Sequence, residues 1–136
     1  MVKAKSTRPK LPAISEEMKA WSAALAAEIG DWPQVRTRSF FGFTALYRRD
    51  IFFAALPRTR SMERPSSLMF KLVDASAAAY ARIGKDSRIG AVQMQKARWF
   101  TFEISSNSDL HDAIDWLRHA YDAAGKFDKK LKRAGR

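Results

Sequence analysis

Three segments rich in β-branched and aromatic residues, Val35 to Phe41, Phe43 to Arg48 and Ile51 to Leu56, follow one another with no more than two residues between them. A parallel crossover needs a dozen or more residues, so links this short confine the chain to an antiparallel meander. Gly42 reads as a bulge or bend, and Arg49-Asp50 as a short turn without the usual Asn-Gly or Asp-Gly signal. A polar loop from Arg58 to Ser67, with Pro57 and Pro65, leads to a fourth strand, Leu68 to Val73.

Helical periodicity brackets this sheet. Ser15 is an N-cap followed by Glu16 and Glu17, and Met18, Trp21, Leu25 and Ile29 recur on one helical face before Gly30. Asp74 can cap a short crossover helix from Ala75 to Ile83, with Gly84 as its end. Gly90 to Lys96 and Trp99 to Ile104 alternate as a second hairpin around Ala97 and Arg98. Ser105 to Ser108 offer caps for a last helix, in which Leu110, Ile114, Leu117 and Tyr121 share a face before Gly125. The order α-β-β-β-β-α-β-β-α predicts an α+β fold: an antiparallel sheet of five to six strands with two long helices on one face.

Charge divides the 136 residues into three parts. Against 25 basic and 14 acidic residues overall, for a net charge of +11, the stretch 15–124 is nearly balanced, with 15 basic and 13 acidic residues. The surplus lies in a basic N-terminal arm, 1–14, and a basic C-terminal tail, 125–136, which carries Lys126, Lys129, Lys130, Lys132, Arg133 and Arg136 against Asp128. Both ends hold little apolar surface, which predicts mobile arms around a single domain at 15–124. Such arms attract phosphate without sequence specificity, or serve only to keep a small protein soluble. Within the domain the local excess is all arginine: Arg36, Arg38, Arg48, Arg49, Arg58, Arg60 and Arg64 against Asp50 and Glu63.

The chain has no cysteine, so it has no disulfide, thiolate metal site or cysteine nucleophile, which points to the cytoplasm. With no apolar run of about 18 residues and no apolar segment behind the basic start, neither a membrane span nor a signal peptide is expected. His111 and His119 stand eight residues apart on the last helix, about 12 Å along its axis and too far for one metal. Gly-x-Ser-x-Gly and phosphate-cradling glycine loops are missing, so no cofactor and no metal are expected. Lys71 is unusual as a cation within the apolar run Leu68 to Val73. By alternation it either snorkels along the solvent face or, if enclosed, needs Glu103 or a ligand anion as partner. Arg38, Arg48, Lys71, Trp99 and Thr101 are expected to gather on the sheet's open face as a shallow basic and aromatic surface, suited to single-stranded nucleic acid or to a protein interface.

The run Arg38-Ser39-Phe40-Phe41-Gly42-Phe43-Thr44-Ala45-Leu46-Tyr47-Arg48-Arg49-Asp50-Ile51-Phe52-Phe53-Ala54 resembles the R-x-M-F-G-G-Y-G-L-Y-R-D-G-x-M-F-A segment of the TfoX N-terminal domain. Leu68-Met69-Phe70-Lys71-Leu72-Val73-Asp74 is similar to that family's L-Y-L-K-V-D. Arg98 to Ile104, with Asp109, Ala113, Leu117 and Tyr121, is closer to YjbR/MmcQ-like proteins and to small proteins labelled luciferase domain-containing. Phe43 stands where the family has the second of two glycines. The resemblance implies an α+β fold and a regulatory, non-enzymatic role.

The resulting expectation is a cytoplasmic, non-catalytic binding or regulatory domain that meets nucleic acid or another polyanion non-specifically through its basic tails. Arg38, Arg48, Lys71, Trp99, Lys129, Lys130, Lys132 and Arg133 are its candidate contacts. The alternatives are a protein-protein module with an acidic partner, and a small enzyme or ligand carrier using the sheet face around Lys71.

Overall fold

The computed structural model describes residues 13–61, 66–72, 75–91 and 98–134. Ser15 accepts the Met18 N–H at 3.0 Å and starts α1 (Glu16–Gly30), which buries Met18, Leu25 and Ile29. Six strands follow: β1 (Val35–Phe40), β2 (Phe43–Arg48), β3 (Ile51–Pro57), β4 (Ser67–Lys71), β5 (Ile89–Ala91) and β6 (Trp99–Glu103). They form one antiparallel sheet in the order β1-β2-β3-β4-β6-β5, with α2 (Ala77–Lys85) between β4 and β5 and α3 (Asp109–Ala134) last. The α+β class, the element order and the antiparallel pairing are those the sequence pattern predicts.

Cross-strand partners share a face, so the register sorts the side chains. Leu46, Ala54, Leu56, Leu68, Phe70 and Phe102 point to the helices and are buried. α3 meets them with Ala113, Trp116, Leu117, Ala120, Tyr121 and Ala124, all buried. The expected apolar stripe is thus rotated: Leu110 and Ile114 are only partly buried, and alanines face the sheet because they let the helix approach closely.

Gly84 and Gly125 depart from expectation, and Gly42 does not. Phe41 and Gly42 are the two central residues of the β1–β2 hairpin, with φ of 47° and 86°, so of the two expected readings Gly42 is the bend and not the bulge. The bulge falls between Leu46 and Tyr47, where β3 carries Phe53 as an extra residue. Gly84 lies inside α2, which Ser76 caps by accepting the Ala79 N–H at 3.1 Å. Gly125 lies inside α3, and the tail expected to be a mobile arm is helical to Ala134. Most of the N-terminal arm, the proposed cap Asp74 and residues 92–97 of the second hairpin lie outside the described residues.

Arg88 joins the α2–β5 turn to the start of α3. Its guanidinium donates to Asp86 at 2.8 and 2.9 Å, to Asp109 at 2.9 Å and to Asp112 at 3.0 Å, and lies over the Phe102 ring. Asp109 also accepts the Ser105 N–H at 2.8 Å.

The Ser22 and Ser61 hydroxyls are buried without a hydrogen-bond partner among the described residues, and Ser22 lies on the buried side of α1. Ser22→Ala removes that unsatisfied group and improves helix propensity, so stability should rise by about 1 kcal/mol. An unchanged or lower urea midpoint would contradict this.

Candidate functional site

The expected basic and aromatic surface is only partly assembled. Arg38, Lys71, Trp99 and Thr101 do share the sheet face turned away from the helices: Arg38 pairs with Ala45, Ala45 with Ala55, Ala55 with Met69 and Met69 with Thr101, while Lys71 pairs with Trp99. Tyr47 and Phe52 stack there with ring centroids 5.3 Å apart, and Phe52 meets Trp99 at 4.9 Å. Trp99 is only 8% exposed, however, too enclosed to offer its ring to a base.

Arg48 lies on the opposite face, which corrects its expected place. Its side chain passes under α3, donates to the Tyr121 carbonyl at 3.1 Å and to Gln34 Oε1 at 3.3 Å, and lies 4.1 Å from the Tyr121 ring centroid. A Cβ at Gly125 would collide with this guanidinium, so the glycine gives Arg48 its passage. Arg48 therefore clamps α3 to the sheet.

Lys71 is half-buried at the end of β4. Its ammonium lies 5.8 Å from the Phe127 ring centroid, beside an apolar niche formed with Ile51, Phe52 and Ala124. The niche measures about 10 Å³, room for a single water molecule. Glu103, the expected partner, pairs with Ser67, four residues along β6 from Trp99 and so about 13 Å from the Lys71 end of the ladder.

The continuity of α3 assembles a different site. Its last turns run past the β2–β3 turn, where Arg49 Nε comes within 3.9 Å of Asp128. Between them opens a cleft of about 190 Å³ lined by Gln34, Arg48, Arg49, Gly125, Asp128 and Lys129. That is smaller than the roughly 300–1,000 Å³ of a typical small-molecule site and ample for one phosphate group. Arg36 also reaches this end, donating to the Arg49 carbonyl at 3.3 Å and to Asp50 at 3.1 Å. Lys126 and Lys129 are exposed, and Lys130, Lys132 and Arg133 follow on the same helix. Among the described residues, the ion pairs at this end include Arg36 with Asp50 and Arg49 with Asp128. Of the expected contacts, Arg48, Lys129, Lys130, Lys132 and Arg133 thus belong to one end of the body, and Arg38, Lys71 and Trp99 to the far sheet face.

Arg49 counts in the arginine excess but not among the expected contacts, and Phe127 is not anticipated, although Leu117, Tyr121, Ala124, Phe127 and Leu131 recur at spacings of four and three straight through Gly125. No helix among the described residues is long and apolar enough to cross a membrane. The chain matches no protein-family model, no curated protein and no solved structure.

Proposed function

We propose that this protein is a small regulatory binding domain that holds a nucleic-acid backbone along the end built from the β2–β3 turn and the last turns of α3. One observation carries the reading: α3 passes through Gly125 without a break, so the basic residues from Lys126 to Arg133 stand on a rigid helix beside Arg48 and Arg49. Fixed charges lose less conformational entropy on binding than the same charges on a free tail. Lys126 to Arg133 span about 10 Å of helix, matching about three phosphates of one strand. Contacts of this kind position a backbone and read no sequence. Kinship with the TfoX N-terminal domain and a cytoplasmic setting belong to the same proposal. Their support is the run Arg38 to Ala54, the run Leu68 to Asp74 and the absence of cysteine.

Binding to a labelled duplex should weaken linearly in log–log form with salt, with a slope near −3 for about three phosphates. Replacing Lys126, Lys129, Lys130, Lys132 and Arg133 by glutamine should remove most of the affinity and flatten the slope. Arg49→Gln alone should reduce its magnitude by about 0.9. Affinity that ignores salt, or that survives the fivefold replacement, would end this reading.

A further inference from the structure

The strongest feature outside the basic end is the free edge of the sheet. β1 is an outermost strand, and residues 36–40 are exposed along it. Arg49 donates its N–H to the Gln34 carbonyl at 2.8 Å, which makes Gln34 and Arg49 a hydrogen-bonded pair. Alternation then turns the backbone groups of Arg36, Arg38 and Phe40 toward β2, and those of Thr37 and Ser39 outward. An edge of this kind is open to a further strand unless charge, proline, a bulge or a covering element closes it.

Here the edge ends in the opposite of protection. Phe40 is 52% exposed and Phe41 82%, the two rings meeting edge to face at 4.7 Å. Phe41 also holds φ of 47°, a conformation that suits glycine or asparagine and is strained for phenylalanine. Exposure and strain together oppose folding and stabilise nothing visible within the chain. Arg38 has no partner among the described residues, and Arg36 is tied to the Arg49 carbonyl and to Asp50, which is 93% exposed. Arg58, also exposed, follows β3 and donates its N–H to the Gly42 carbonyl at 2.9 Å.

We infer that β1 is a docking strand for an extended acidic segment of another protein. The segment adds beside Thr37 and Ser39, sets carboxylates at alternate positions against Arg36 and Arg38, and seats an apolar side chain on Phe40 and Phe41. Main-chain hydrogen bonds supply affinity in strand addition, and alternate side chains supply choice of partner. Charge selects this occupant over a second copy of the chain, because self-pairing centred on Thr37 or Arg38 sets guanidinium against guanidinium. The inference shares only Arg36 with the basic end, which lies at the other end of β1.

The test uses the full chain and a labelled peptide in which glutamate alternates with valine and which ends in phenylalanine. Titration should shift the amide resonances of Thr37 and Ser39. Thr37→Pro, which deletes an outward N–H that no internal bond uses, should abolish binding with the circular dichroism spectrum unchanged. Arg38→Glu should weaken binding about tenfold, and a peptide with lysine in place of glutamate should recover it. Unmoved Thr37 and Ser39 amides at peptide excess, shifts confined to the α3 end, or full binding by Thr37→Pro would overturn the inference. So would concentration-dependent dimerisation lost in both variants, which would identify a second copy as the occupant.

Discussion

Arg88→Leu should lower stability by about 2–3 kcal/mol and the melting temperature by about 8–12 °C, measured by urea and thermal unfolding. Leucine keeps part of the aliphatic stem but removes the guanidinium that lies over Phe102 and every donor that the three aspartates share. The effect falls short of a fully buried pair because the Arg88 side chain is 31% exposed and Asp112 48%, so water takes over part of the solvation.

The pH dependence identifies the cause. The Arg88 guanidinium holds the Asp86 carboxyl below its ordinary value of 3.8, against the opposing pull of burial. Backbone N–H donation from Ser105, and then the Arg88 side chain, do the same for Asp109. Carboxyls with lowered folded values stabilise above their unfolded values and lose that stabilisation as pH falls through the folded ones. In Arg88→Leu, Asp86 keeps the burial that raises its value and loses the guanidinium that lowered it. The gap between wild type and variant should therefore be widest above about pH 5 and shrink toward pH 3. A gap that is constant with pH would mean that lost packing, and not lost charge pairing, sets the cost.

The order of elements was legible because links of two residues or fewer, caps and alternation are local signals, and local signals survive folding. What failed were the inferences that required knowing which element lies against which. Gly125 looks like a stop in isolation, yet the apolar recurrence through Ala124 and Phe127 and the passage of Arg48 beneath the glycine keep α3 continuous. Arg48 looks solvent-facing by its charge, yet it alternates with buried Leu46 on the helix face of β2, and only the continuation of α3 gives it the Tyr121 carbonyl as a partner there. Lys71 and Glu103 are neighbours in strand order and far apart in register, and register is a tertiary property. The functional surfaces share this origin: the basic end exists only because two elements 70 or more residues apart in sequence meet, as Arg48 and Tyr121 do.

Trp116→Ala should cost about 4 kcal/mol, the largest single loss available without touching either proposed binding surface. Trp116 is 1% exposed and stacks on Phe70 with centroids 5.7 Å apart at 22°, joining α3 to the centre of the sheet. On its other side the Arg82 guanidinium lies 4.7 Å from its ring centroid, bringing α2 onto α3. Alanine leaves a void that the surrounding Ala113 and Ala120 are too small to fill, so the cavity persists and adds to the lost transfer energy. A domain of this size has about 5–15 kcal/mol in total, so the variant should be partly unfolded well below the melting point of the wild type. Trp116→Phe keeps the stack on Phe70 and should cost about 1–2 kcal/mol, with part of the Arg82 contribution lost because the smaller ring attracts a cation less. Combining each change with Arg82→Met in a double-mutant cycle separates the two contacts: coupling should be clear with tryptophan and weak with phenylalanine. If Trp116→Ala and Trp116→Phe cost the same, ring volume would not be what holds α3 to the sheet, and the account of this core given by the Phe70 stack would be wrong.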